Sequence, residues 1–244
     1  MKNSGLETCQ IELMSPKMNK LFAVLAKHDV SPTRRTGIPR SHTTDWEATR
    51  MCIEAFRRTV VAAGRAGTTV RWYKGLDVAT LHRCVTSFNW GGTLLEVTAD
   101  ILSSIIVAHP FPNANHRTAI SLVRLYLGSQ EIPWPSFELR GRGIKRFVAL
   151  STPFIVRSKY LLQTLRHRRM ILLAVEEGFT HLSIAEEQVE IDIAGLRMKD
   201  SSIRRRHLAL SKQFVDTLAN EDGQRALRKP SRSRLREWVL WYGR

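Results

Sequence analysis

A chain of 244 residues and 27.9 kDa has room for one large domain or two small ones, and 43% hydrophobic residues can close a core, which excludes global disorder. Lys and Arg number 38 against 22 Asp and Glu, a formal charge of +16 that favours polyanions such as nucleotide phosphates, nucleic acid or acidic protein faces. Cys9, Cys52 and Cys84 are too few and too scattered for a disulfide framework or a zinc knuckle, which points to a reducing, cytoplasmic home.

Residues 1–44 read as an N-terminal segment. Its first fifteen positions scatter Lys2, Glu7 and Glu12 among apolar residues and never build the unbroken run of a secretory leader. Thr44-Asp45-Trp46-Glu47 has the form of a capping box, and Trp46, Ile53, Phe56 and Val60 follow at helical spacing until Gly64. Thr68 to Tyr73, ahead of Gly75, is the stretch that reads as a strand. His82 reads as a surface residue on a short helix and Cys84 as a small buried apolar side chain. A second capping box, Thr93-Leu94-Leu95-Glu96, opens a helix whose Leu94, Val97, Ile101, Leu102, Ile105 and Ala108 make a broad apolar face, the mark of a buried helix. A third helix is predicted from Asn115 to Leu127 with Gly128 as its stop, and a fourth from Pro153, capped by Thr152, towards Gly178. No segment reaches the ~18 apolar residues of a membrane span, so no membrane contact is expected.

The basic excess lies late in the chain. Residues 140–244 hold 22 Lys and Arg against 11 acids, whereas residues 1–139 hold 16 against 11, a shift that sets a boundary near Pro133-Trp134-Pro135. Ser183-Ile184-Ala185-Glu186 has the form of a third capping box. Ser201 to Leu208, with Arg204, Arg205 and Arg206, reads like the second helix of a helix-turn-helix, although Leu196 to Asp200 makes a longer turn than the usual roughly 3–4 residues. The plainer reading of those arginines is a solvated face. Arg225 to Arg244 is a basic tail whose Trp238, Trp241 and Tyr242 favour docking on the core over gripping RNA. The expected fold is mainly α, with a helical bundle core at residues 45–150 carrying a small β flap, a helical basic region at 151–224 and the tail at 225–244.

Between the second and third predicted helices lies His109-Pro110-Phe111-Pro112-Asn113-Ala114-Asn115-His116-Arg117-Thr118. An imidazole ends one helix, and a short loop leads into the next, so unpaired backbone N–H groups and the positive end of a helix dipole share one space. Anions bind at such a loop, and Arg117 in the first turn adds a fork that can grip phosphate oxygens. His109 can take a proton from an attacking hydroxyl, which suits phosphoryl or nucleotidyl transfer, where positioning and charge stabilisation carry most of the catalysis. Phe111 is expected to turn inward and anchor the loop.

The run His109 to Arg117 resembles the signature of the Fic/Doc (Fido) family, HxFx(D/E)(G/A)N(G/K)R, over a stretch of roughly residues 45–150. The resemblance implies a Fido-type helical core and transfer of AMP, or in the Doc branch of phosphate, from ATP or another nucleoside triphosphate to a hydroxyl on a target protein, with Mg²⁺. It implies that His109 is the base, that Asn115 and Arg117 hold phosphates, that Ala114 and His116 supply loop amides, and that Thr68 to Tyr73 is a flap aligning the target by strand addition. At the metal position this chain has Asn113, a neutral oxygen donor, where the family has Asp or Glu. At the position of Gly or Lys it has His116, and Ala114 matches the Doc-like form, so AMP and phosphate transfer both stay open. Of the family's inhibitory pattern, (S/T)xxxE(G/N), the nearest match is Thr217 to Asp222, with Asp where Gly or Asn is expected, and its acids read as the end of a solvated helix. A Doc-like chain would instead be restrained by a separate antitoxin protein. The competing reading is a Fido fold that has lost its chemistry and binds nucleic acid through its basic C-terminal half.

Overall fold

The computed structural model describes residues 40–68, 70–132, 142–184, 187–219, 221–231 and 235–242. They form helices α1 (Arg40–Arg65), α2 (Val78–Ser87), α3 (Leu94–Ala108), α4 (Asn115–Ser129) and α5 (Arg142–Glu176), then the antiparallel pair β1 (His181–Ile184) and β2 (Glu187–Glu190). Helices α6 (Ile193–Leu196), α7 (Asp200–Leu218), α8 (Glu221–Leu227) and α9 (Leu235–Tyr242) follow. The mainly α class with a small β element is what the sequence leads one to expect.

Helix α3 is the centre because it is apolar nearly all round, and a helix of that kind must be enclosed. Leu94, Val97, Ile101, Leu102, Ile105 and Ile106 are all buried. Its start is fixed by the capping box, in which Glu96 N–H donates to Thr93 Oγ1 at 3.3 Å and Thr93 N–H donates to Glu96 Oε2 at 3.0 Å. A Cβ on Gly92 would come within 2.8 Å of that same Glu96 oxygen, so the residue before the cap must be small. Helices α4 and α7 pack against α3, α1 lies across α4, α2 and α9, and α5 lies on α7. Trp238 of α9 is fully buried against Trp90 and Tyr126. A smaller cluster of Ile171, Ile191 and Leu196 sits under the β1–β2 hairpin.

Several expectations are corrected. The Thr44–Glu47 box lies inside α1, which already runs from Arg40. Thr69 lies outside the described residues, and the rest of 68–73 is not a strand, because no strand among the described residues pairs with it; the described strands are β1 and β2, and Ser183-Ile184, read as a helix cap, belong to β1. The hairpin arises because Leu182, Ile184 and Val189 alternate with polar residues, a period of two that overrides the cap pattern. Pro153 does not start a helix but sits within α5, and Gly128 sits within α4. The boundary at 150/151 therefore falls inside one helix, and one core runs from Ala48 to Trp238, so α9 docks on the core, the alternative its aromatic residues favour. The boundary expected at 133–135 lies outside the described residues. The turn between α6 and α7 is residues 197–199, of ordinary length, but α6 is a single turn, too short for the first arm of a helix-turn-helix. His82 is half-buried, its ring stacked on Trp46 at 4.2 Å. Among the described residues no helix is long and apolar enough to cross a membrane.

Candidate functional site

His109 ends α3 in the left-handed conformation, φ 53°, with its N–H on the Ile105 carbonyl at 3.0 Å. Ala114 enters α4 in the same region, φ 55°. Two non-glycine residues held there cost of order 1 kcal/mol each, and the loop between them is fixed from several sides. Phe111 is fully buried and its ring stacks on Phe56, centroids 4.9 Å apart. Phe111 N–H donates to Asn115 Oδ1 at 3.0 Å, and Asn115 Nδ2 donates back to the Phe111 carbonyl at 3.1 Å. Asp77 N–H donates to the Pro110 carbonyl, Tyr73 N–H to that of Pro112, and Lys74 Nζ to that of His109, so the extended segment 70–77 rides along the loop.

Beside the loop opens a cavity of about 710 Å³, a size that suits a nucleotide-scale ligand. His109, Asn113, Ala114, Asn115, His116 and Arg117 line one side, and α5 forms the opposite wall with Ile155, Lys159, Leu162, Gln163 and Arg166. Every candidate residue of the loop except the buried anchor Phe111 thus meets at one space. Among the described residues no side chain caps α4, which leaves the N–H groups of its first turn to that space. Arg117 is exposed and has no hydrogen-bond or ion-pair partner among the described residues. No Asp or Glu among the described residues lines the cavity, whereas Arg117, Lys159 and Arg166 do, so its charge is wholly positive.

Burial, followed by the charges of Arg166 and Lys74, pulls the His109 pKa down from 6.5 to about 4. His109 is therefore neutral at pH 7 and able to accept a proton. Burial, followed by the positive potential of His207, Lys159, His109 and Arg166, takes His116 down to about 3. Burial also lowers the Arg166 pKa from its ordinary value.

Two features escape a reading of the sequence. Lys159 and Arg166 stand on α5, far from the loop in sequence; the clue is a helical stripe, Ile155, Lys159, Leu162 and Arg166, in which cations replace every second apolar residue. Behind His116 lies a buried polar chain through Ser158, His207 and Ser103. His207, within the stretch 201–208 that reads like the second helix of a helix-turn-helix, is 1% exposed, while Arg204, Arg205 and Arg206 are exposed and Arg206 pairs with Asp192 at 2.7 Å. Thr217 lies in the last turn of α7, and Asn220 of the inhibitory pattern lies outside the described residues.

The family model described as Family of unknown function (DUF8172) matches residues 28–239. The chain belongs to that family. No curated protein and no solved structure matches it. Within this family member the cavity's residues do not fit a Mg²⁺ site. Asn113 Oδ1, the expected metal donor, accepts the Ala114 N–H at 2.6 Å, while Asn113 Nδ2 donates to the Arg71 carbonyl at 2.6 Å, so the carboxamide clasps the loop to segment 70–77. Magnesium asks for carboxylates alongside phosphate oxygens, and this wall supplies none. Asn115 likewise spends its side chain on Phe111, which makes it a support of the loop.

Proposed function

We propose that the protein is a nucleotide-dependent transferase that moves AMP or phosphate from a nucleoside triphosphate such as ATP to a hydroxyl of another protein, in the manner of the Fic/Doc proteins its loop resembles. The observation that carries the reading is the acid-free cavity in which a neutral imidazole, an uncapped helix start and three permanent cations face one another. The α4 N–H groups and Arg117 grip phosphate oxygens, and Lys159 and Arg166 face the same anion from α5. The target hydroxyl attacks phosphorus as His109 takes its proton; pyrophosphate leaves if the α-phosphorus is attacked, the nucleoside diphosphate if the γ-phosphorus is. Binding a polyphosphate offsets the charges of Arg166 and Lys74 that hold His109 down, and so brings the base closer to neutral pH when the substrate is present. In the absence of a protein donor set for Mg²⁺, the three cations carry the phosphate charge. The reading places the protein in the cytoplasm, and its Doc-like alanine and phosphate chemistry would go with a restraining antitoxin partner.

Extract incubated with ATP labelled at the α- or the γ-phosphate tests this. Transfer of one label to a protein, lost in His109→Ala, is the expected result; label from neither position overturns it. A second reading, favoured by the missing carboxylate, is a binding module without transfer that uses the exposed Arg204 and Arg205 of α7 on nucleic acid. It requires binding that falls steeply with salt and is lost in the Arg204→Ala, Arg205→Ala double variant.

A further inference from the structure

The buried chain behind His116 has a direction. Ser103 Oγ lies 2.9 Å from His207 Nδ1, His207 Nε2 lies 2.7 Å from Ser158 Oγ, and Ser158 Oγ lies 2.8 Å from His116 Nε2. The four residues come from α3, α7, α5 and α4, so the chain crosses the whole core to reach the cavity that His116 lines. Each hydroxyl has one proton and two lone pairs and each neutral imidazole one N–H, and three proton orders then satisfy all three links. In the first, Ser103 donates to His207, His207 Nε2–H donates to Ser158, and Ser158 donates to His116 Nε2, which leaves the last N–H on His116 Nδ1. In the second every link is reversed, and the Ser103 hydroxyl proton is left buried with no acceptor among the described residues; in the third both imidazoles donate to Ser158, whose own buried hydroxyl proton is then left in the same state. An unpaired buried donor is the costlier state, so the first order is favoured.

We propose that Ser103, His207 and Ser158 are positioning residues that fix His116 in its Nδ1–H tautomer and so offer a hydrogen-bond donor to a phosphate oxygen in the cavity. Donors aligned head to tail polarise one another, which strengthens the terminal N–H. Among the described residues the charged and titratable groups around His116 are His207, Lys159, His109 and Arg166, with no carboxylate to claim that N–H, so an anion that only accepts is the matching ligand. The ligand half of this inference rests on the nucleotide reading above; the tautomer half does not.

The full chain with ¹⁵N-labelled histidine reports the tautomer from its imidazole nitrogens at pH 7, and calorimetry with ATP as the probe reports the donor. The expected result is a single Nδ1–H tautomer at His116, a tautomer mixture in Ser158→Ala and in Ser103→Ala, and an ATP affinity about fivefold weaker in Ser158→Ala. The same Ser158 change in a His116→Ala background is expected to leave affinity within about twofold, because Ser158 acts only through His116. An Nε2–H tautomer in the wild type, a tautomer unmoved by Ser158→Ala, or an equal loss of ATP affinity in both backgrounds would overturn the proposal. If His116 is fixed as expected while the wild type takes up no ATP, the nucleotide reading and its ligand half fall and the tautomer assignment stands.

Discussion

Asn115 and Phe111 exchange two hydrogen bonds, so one carboxamide satisfies both backbone polar atoms of the residue whose ring anchors the loop. Asn115→Asp keeps the acceptor and turns a carboxylate oxygen on the Phe111 carbonyl. The expected cost is about 3 kcal/mol, the upper range for stranding a buried polar group, read as a lower urea midpoint at pH 7 with an unchanged slope. Phe111→Ala, which empties the space against Phe56, should cost about 3–5 kcal/mol in the same measurement.

Asn113→Asp removes the donor to the Arg71 carbonyl and introduces an acid at the cavity wall. ATP uptake by the wild type is expected to be the same with and without Mg²⁺, whereas the Asp variant should bind ATP more tightly with Mg²⁺ than without it. Calorimetric titration in the presence of Mg²⁺ or of a chelator reads the difference.

His207 and His116 fold with pKa values near 4 and 3, lowered first of all by burial, against about 6.5 for an exposed imidazole. Between those values the unfolded chain binds more protons, so stability rises with pH there. It is fully present above about pH 6.5 and is lost as pH falls towards 4 and then 3. For His207 alone the loss by pH 5 is about 2 kcal/mol. Urea midpoints at pH 7 and pH 5 should show the fall, and His207→Gln should flatten that part of it.

Arg166→Ala takes a positive charge from beside His109 and from the α5 wall. The His109 imidazole should titrate at higher pH in the variant, followed by proton NMR, because a neighbouring cation disfavours the protonated ring. ATP affinity should drop about tenfold, the scale of one charge-assisted hydrogen bond.

The parts of this molecule legible in its sequence are those set by neighbours in the chain. The Thr93–Glu96 box, the apolar face of α3, the inward turn of Phe111 and the gathering of His109 and Arg117 at one loop all follow from contacts within a few residues. What stayed hidden depends on packing between distant segments. Segment 68–73 has the residues of a strand, but Tyr73 at its end finds the Pro112 carbonyl instead of a second strand among the described residues. Pro153 carries the signal of a helix start, yet α5 continues through it. Lys159 and Arg166 become site residues only because α5 passes opposite the loop, and His207 looks like one more polar residue beside three arginines until α7 turns it against Ser103 and Ser158.

Trp238 belongs to α9, the helix furthest along the described chain, yet it is enclosed by Trp90 and Tyr126, which flank α3 and stand on α4. A nascent polypeptide therefore holds an open aromatic socket until α9 is made, and this core can be sealed only after the ribosome has released α9. Until then that uncovered wall is a natural substrate for holding chaperones, and closure of this core waits for α9.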